Sequence, residues 1–302
     1  MTTKGRSASS VRARRIQLKN SLNGPELIVA PGVFDMVSAR LADALGFKAL
    51  YMSGYATVAS YLGWPDAGLA TFTDMVNRVQ QFATITDTPL ICDGDTGYGG
   101  LLNVMHTVRG YEAAGASAIQ LEDQEAPKKC GHMAGRRVIP ADEMVQKIRV
   151  AVESRDDPSF VMIARTDALA EHGLDEALRR GERYARAGAD VLFVEGLATP
   201  QELARVSQTL QLPLVFNMVA GTSAPLSFEE LQTLGYRIVL CPVVALMAAA
   251  QAMLAVYESL AGGGHPPASD PPQYEFREFS RFIGFDWVGE FDQHHAKLNV
   301  VE

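Results

Sequence analysis

Lys128-Lys129-Cys130-Gly131-His132 places a thiol between two ammonium groups and an imidazole, in a polar stretch between two regular elements. Neighbouring cations stabilise a thiolate and pull a cysteine below its free value of about 8.5, so Cys130 suits acid-base or nucleophilic chemistry. A lone cysteine is more often a small buried apolar residue, but core cysteines have apolar neighbours, and Cys130 has lysines, a glycine and Pro127. A second set is acidic: Asp93, Asp95, Glu122 and Glu195 each stand at the end of a short apolar run or just beyond it. Brought together, such acids either raise one another's pKa or recruit a cation. A hard divalent ion is the simpler solution. Mg2+, or Mn2+ in its place, takes oxygen ligands and keeps several waters, so one or two direct carboxylates are enough. The Asp93-Gly94-Asp95 triplet is a weak signal alone, because such triplets also occur in surface turns; its strand-end position beside further acids strengthens it. Arg165 and Asn217 supply the opposite chemistry, a guanidinium fork and an amide for carboxylates. Ser53 and Gly54 add a hydroxyl and backbone N–H donors, and the whole set predicts a small polyacid as substrate.

These residues must be positioned by a repeating scaffold. Short apolar runs at 27–30, 49–52, 89–92, 118–122, 160–164, 191–195, 214–217 and 238–241 alternate with amphipathic stretches. They recur about every 30 residues, the size of one strand-helix-strand unit. Gly46, Gly115, Gly188 and Gly235 stand where helices hand over to strands and need a left-handed residue. Eight units predict a closed (β/α)8 TIM-type barrel. An open doubly wound sheet would carry a glycine-rich phosphate turn after its first strand, and Pro31-Gly32-Val33-Phe34-Asp35 is not one. In a barrel the reacting groups gather at the C-terminal strand ends, which is where Ser53, Asp93, Glu122, Arg165, Glu195 and Asn217 fall. Ser53 and Asp167 equally suit helix caps.

The chain reads as one barrel domain over residues 1–302, with its core at about 26–260. A Gly/Pro-rich linker (262–267, then Pro271-Pro272) leads into an aromatic helical extension over 274–294, which either caps the barrel or packs on a neighbouring subunit. With 302 residues and 47% hydrophobic content a large core is affordable. Twenty-seven basic against 35 acidic residues give a net charge of −8, which argues against nucleic acid and anionic membrane as partners. Three scattered cysteines without a CxxC pair argue against disulfides and structural zinc and fit a reducing compartment. Without a secretory signal or a long apolar run outside helical or strand periodicity, the expected location is the cytoplasm. Lys4, Arg6, Arg12, Arg14 and Arg15, with no acid among residues 1–15, loosely resemble a transit peptide; a frayed tail entering a first helix is the reading preferred here.

The residues resemble those of the isocitrate lyase and phosphoenolpyruvate mutase superfamily, from about Leu27 to the end of the eighth helix. Lys128 to His132 resembles the signature of its carbon-carbon lyase branch. Ser53-Gly54 with Pro65-Asp66, the Asp93-to-Gly99 segment, Gln120 to Gln124, Ala164 to Asp167 and Phe216 to Met218 support the match. The resemblance implies metal-dependent retro-aldol cleavage of a 2-hydroxy di- or tricarboxylate, such as 2-methylisocitrate or 2,3-dimethylmalate, to an α-keto acid and a second carboxylic acid. Asp93 and Asp95 would hold Mg2+, with Glu122 reaching it through water. Ser53, Gly54, Tyr55, Asp66, Arg165, Glu195 and Asn217 would position substrate, and Tyr51 would accept a proton. Cys130 would protonate the departing carbanion while Gly131 and His132 orient its carboxylate, under a lid formed by residues 124–139. The resemblance also implies a homotetramer, a dimer of dimers, with the extension exchanged between subunits. Tyr55 stands where family lyases commonly have Gly or Ala, and Ala220 where they often have an acid, which leaves the substrate open. Oxaloacetate hydrolase is the alternative on this scaffold; Pro242, where hydrolases favour Ser, leans toward lyase. A mutase or a catalytically silent metal-binding relative fits less well, since the lid motif and the metal set are complete.

Overall fold

The structure is a computed structural model that describes residues 8–131, 133, 135–263 and 271–298. His132, the basic residues before Ala8 and part of the linker lie outside the described residues. In chain order the elements are α1 (Ala8–Asn23), β1 (Ile28–Val33), α2 (Met36–Ala44), β2 (Leu50–Met52), α3 (Gly54–Leu62), α4 (Phe72–Ile85), β3 (Leu90–Asp93), α5 (Leu101–Ala114) and β4 (Ala118–Glu122). They continue with α6 (Ala141–Ser154), β5 (Val161–Thr166), α7 (Leu169–Arg186), β6 (Val191–Val194), α8 (Pro200–Thr209), β7 (Leu214–Asn217), α9 (Phe228–Thr233), β8 (Ile238–Cys241), α10 (Val244–Ala261), α11 (Phe276–Ile283) and α12 (Phe285–Leu298).

All eight strands pair in parallel in sequence order and close, β1 meeting β8 through Ile28↔Ile238 to Pro31↔Cys241. The predicted barrel is therefore correct. Strands buried on both faces read as continuous apolar runs, which is why their positions were legible. β1 runs three residues past its predicted end because Gly32 lets the backbone pass Pro242: a Cβ there would lie 2.1 Å from the Pro242 carbonyl oxygen. β6 stops at Val194, which leaves Glu195 on the loop beyond. Reciprocal capping boxes start several helices, among them Thr71 with Asp74 and Thr199 with Glu202. The four junction glycines all have positive φ.

Two apolar clusters make the core. One lies between strands and surrounding helices, with Phe82, Tyr111, Phe160 and Tyr184 as large buried members. The other fills the barrel interior, where Ile28, Ile91, Val161, Phe193 and Ile238 meet Leu18 and Leu22 of α1. The second half of α1, which follows the basic residues, is thus a plug. Arg15 of α1 donates to the Ala116 carbonyl at 2.9 Å and to the Glu112 carbonyl, and pairs with Asp157 at 3.4 Å.

The described residues separate into two compact units, one that ends at Met247 and a second from Ala248 onward. Within the second, Tyr274 stacks on Phe282 and Trp287 packs on Phe291. α10 contains no buried residue, and it is long and apolar enough to cross a membrane, with a mean hydropathy of 1.5.

Candidate active site

The C-terminal mouth of the barrel holds a cavity of about 210 Å³. Of the residues singled out from sequence, Tyr51, Ser53, Tyr55, Asp66, Asp93, Glu122, Cys130, Gly131, Arg165 and Asn217 line it. Gly54, Asp95 and Glu195 stand behind that wall and act on it through hydrogen bonds or ion pairs. A larger groove of about 430 Å³ lies between α1, the end of α5 and the 156–158 loop. Its charges neutralise one another, Arg15 facing Glu112 and Asp157, and it holds none of the candidate site residues.

The depth of the barrel positions the arginine. Arg165, near the end of β5, is buried and donates to both Asp167 oxygens at 2.9 Å, with Glu122 at 3.4 Å and Glu195 at 3.7 Å. Asp167 is therefore no helix cap; it sets the plane of the guanidinium. A further layer sets Asp167. Asp123 accepts from the Asp167 N–H at 2.9 Å, from Thr166 Oγ1 at 2.7 Å, from Arg180 Nη1 at 2.9 Å and from the Tyr184 hydroxyl at 2.7 Å. A carboxylate with that many donors is rigid. Glu195 accepts from Asn217 Nδ2 at 3.1 Å, which orients the amide at the end of β7.

Asp93 ends β3, where one oxygen accepts from the Gly54 N–H at 3.3 Å and the other from the Asp95 N–H at 3.1 Å. Gly54 opens α3, and Ser53 caps that helix by accepting from the Ala56 N–H at 3.3 Å. Ser53 is thus both cap and cavity wall. Asp95 adopts φ 48°, a left-handed backbone unusual outside glycine that belongs to the sharp turn of this loop. The Tyr51 hydroxyl lies 3.5 Å from Asp93, and burial, then the Asp93 charge, pushes its pKa well above the ordinary range. It stands as a neutral donor.

The lid departs from local expectation. The lysines flanking Cys130 are engaged away from the thiol: Lys128 Nζ sits 2.6 Å from Asp66 and 2.5 Å from Asp95, and Lys129 Nζ donates to the Gly135 carbonyl at 3.2 Å. Cys130 is half-buried, and its N–H donates to the Asp66 carbonyl at 3.1 Å. Gly131 presses on the arginine, since a Cβ there would lie 2.2 Å from Arg165 Nη2. The lid thereby touches Arg165 directly.

Burial dominates the electrostatics. It lifts Glu122 well above the usual carboxylate range against the pull of Arg165, and lifts Asp95 to about 6 against the pull of Lys128. Lys128 stays charged although burial opposes it, because Asp95, Glu122, Asp93 and Asp66 face it. Among the described residues no three His, Cys, Asp or Glu side chains form a ready-made chelating group. The oxygen-only donor set still fits a hard cation held by few direct ligands, and Glu122 Oε1 is buried without a hydrogen-bond partner, an acceptor left over for a water or an ion.

Fold and site together define a (β/α)8 enzyme whose carboxylates, arginine and thiol meet at the strand ends. The chain belongs to the phosphoenolpyruvate phosphomutase family, whose model matches residues 18–261, within the PEP mutase/isocitrate lyase superfamily. It is similar to 2,3-dimethylmalate lyase of Eubacterium barkeri, 41% identical over 281 residues that cover 93% of this chain and 97% of that one. It also superposes on an oxaloacetate acetylhydrolase in complex with 3,3-difluorooxalacetate (TM-score 0.89, 36% identity, 94% and 98% of the two chains covered). A phosphonopyruvate hydrolase in complex with oxalate and Mg2+ is a third neighbour (TM-score 0.83, 30% identity, 93% and 98% covered).

Sequence reasoning missed Asp123, Arg180 and Tyr184 as supports of Arg165, the partners of Lys128, and the apolar wall of the cavity. Asp123 had a faint signal, a second acid after the rim residue Glu122. Arg180 and Tyr184 reach Asp123, and Lys128 reaches Asp66 and Asp95, across 33 positions or more (128 − 95 = 33 for the nearest pair), and no local pattern announces them.

Proposed function

We propose that this protein is a Mg2+-dependent lyase that cleaves the C2–C3 bond of a small 2-hydroxy dicarboxylate. The hydroxyl proton leaves, the carbonyl forms at C2, the bonding electron pair passes to C3, and C3 takes up a proton. The products are an α-keto acid and a carboxylic acid, and no other reactant is consumed. The observation that carries this reading is the meeting of Cys130, Arg165 and the buried carboxylates Asp93 and Glu122 on one cavity.

Asp93 and Asp95 would hold the ion, with Glu122 reaching it through water; when bound, such an ion stabilises negative charge developing on an oxygen. Arg165, fixed by Asp167, binds a carboxylate in a bidentate manner. Asn217 and the Ser53 hydroxyl complete the cradle. Tyr51 would take the hydroxyl proton as a tyrosinate, a charge that a cation held at Asp93, 3.5 Å from its hydroxyl, would stabilise. Cys130 delivers the proton to C3, with His132 next to it in the chain orienting the departing carboxylate. Residues 124–139 exclude water, which would otherwise protonate the carbanion without control.

Oxaloacetate hydrolysis is the competing reaction, supported by the likeness to the acetylhydrolase. The test incubates the protein and Mg2+ with dimethylmalate, methylisocitrate, citramalate, isocitrate and oxaloacetate while keto acid and oxalate are measured. Keto acid formation that EDTA abolishes and that falls about 100- to 10,000-fold in Cys130→Ser is expected. Oxalate as the sole product would establish the hydrolase instead, and activity that survives both treatments would exclude this mechanism.

The exposed apolar surface of α10 supports a homo-oligomer, a dimer of dimers in which a second copy covers that helix. A cytoplasmic location belongs to the same reading, supported by the small-carboxylate substrate class and three scattered cysteines without a CxxC pair.

A further inference from the structure

One arginine of the lid turns inward. Where the lid returns from the mouth its backbone is held: the Gly135 carbonyl accepts from Lys129 Nζ at 3.2 Å, and the Arg137 carbonyl accepts from the Glu125 N–H at 2.8 Å. The two arginines between these ties and Val138 then part company. Arg137 has a side chain 73% exposed and pairs with Glu125 at 2.9 Å, whereas the side chain of Arg136 is 9% exposed, with its Nε 3.8 Å from Oδ1 of fully buried Asp167. Neither Nε nor Nη1 of Arg136 has a hydrogen-bond partner among the described residues. A buried cation so placed loses more by leaving water than one ion pair beyond hydrogen-bond distance returns, so fold stability does not account for it.

The charge around Arg165 does. That guanidinium meets Asp167 at 2.9 Å, Glu122 at 3.4 Å and Glu195 at 3.7 Å. Burial favours the neutral form of Glu122, and two acids still outnumber the one guanidinium. Lys128 and Arg180 are engaged elsewhere, by Asp66 with Asp95 and by Asp123. We propose that Arg136 is a positioning residue for carboxylate binding: from the lid it offsets the charge of Asp167, which leaves Arg165 with positive charge to spare for a carboxylate of the ligand. The inference rests on the reading of Arg165 as the carboxylate binder and adds a residue to it. Arg136 acts through its charge, across Asp167, so the sign of the side chain matters more than its shape. The same charge that favours an arriving anion opposes an arriving cation.

The test uses the full chain and calorimetry, with oxalate at saturating Mg2+ and, separately, with Mn2+ alone. Arg136→Gln should weaken oxalate about tenfold, and Arg136→Lys should regain most of that loss. Mn2+ should bind Arg136→Gln at least as tightly as it binds the native chain. A side chain that merely held the lid together would weaken both ligands in parallel. Oxalate affinity unchanged in Arg136→Gln, not regained in Arg136→Lys or lost together with Mn2+ affinity overturns the proposal, as does a native chain that binds no oxalate. In cleavage assays KM should rise in Arg136→Gln with kcat nearly kept. No cleavage by the native chain would overturn the lyase reading, while the oxalate and Mn2+ affinities would still decide the role of Arg136.

Discussion

Asp167 touches Arg165 through two hydrogen bonds and is itself held by Asp123. Its task is to keep a planar cation in one orientation toward the cavity. Arg165→Lys keeps the charge and loses the fork, so KM for the diacid substrate should rise about 10- to 100-fold, the equivalent of one or two charge-assisted hydrogen bonds at roughly 1.5–3 kcal/mol. Asp167→Asn should give a smaller rise in KM with circular dichroism unchanged; steady-state kinetics on both variants checks the order. Away from the site, burial works against ionised Asp157, but the Ser159 N–H and Arg15 hold its pKa below the ordinary 3.8. A lowered folded-state value means that the ionised carboxylate stabilises the fold fully above about pH 4 and that this contribution is lost as pH falls through the folded value. Urea midpoints measured between pH 6 and pH 2 should therefore drop less steeply for Asp157→Asn than for the native chain.

The lid is tied at both ends. The Gln124 side chain clamps the Lys129 backbone through two bonds of 2.9 Å, Gln124 bridges to Val138, and the Ile139 N–H donates to the Asp123 carbonyl at 2.8 Å. Arg180 closes the far end by donating to the Ile139 carbonyl at 2.9 Å. Gln124→Ala frees the backbone beside Cys130, so iodoacetamide should alkylate that thiol several-fold faster, read by mass spectrometry against buried Cys92 as internal control; an unchanged rate would mean that the clamp does not govern the lid. The strands were legible because a buried parallel barrel writes each of them as an apolar run with a polar residue at its rim, from Leu90 to Asp93 or Ala118 to Glu122. The residues of the cavity followed from that rim. What escaped depends on closure: Arg180 meets Asp123 from the middle of α7, and Val243 lines the same cavity as Asp93 only because the strands close into a ring. The lysines beside Cys130 misled for the same reason, since sequence adjacency says nothing about which way a long side chain turns.

At the scale of the molecule, α10 is the anomaly. Met253, Leu254, Tyr257 and Leu260 of α10 are all about half exposed or more, too much contiguous apolar surface for a lone chain in water. Light scattering after gel filtration should give a mass of about four chains, and Leu254→Lys with Tyr257→Lys should shift it to dimer or monomer. A monomeric native protein would remove the oligomer reading. Lys128 supplies a built-in counter-charge for Asp66 and Asp95 from inside the same chain, so the acidic mouth is partly neutralised before any ion arrives. On the metal-dependent reading proposed above, folding and chemistry would be divided: the cation would be a guest of a finished scaffold, and its departure would idle the enzyme without dismantling it.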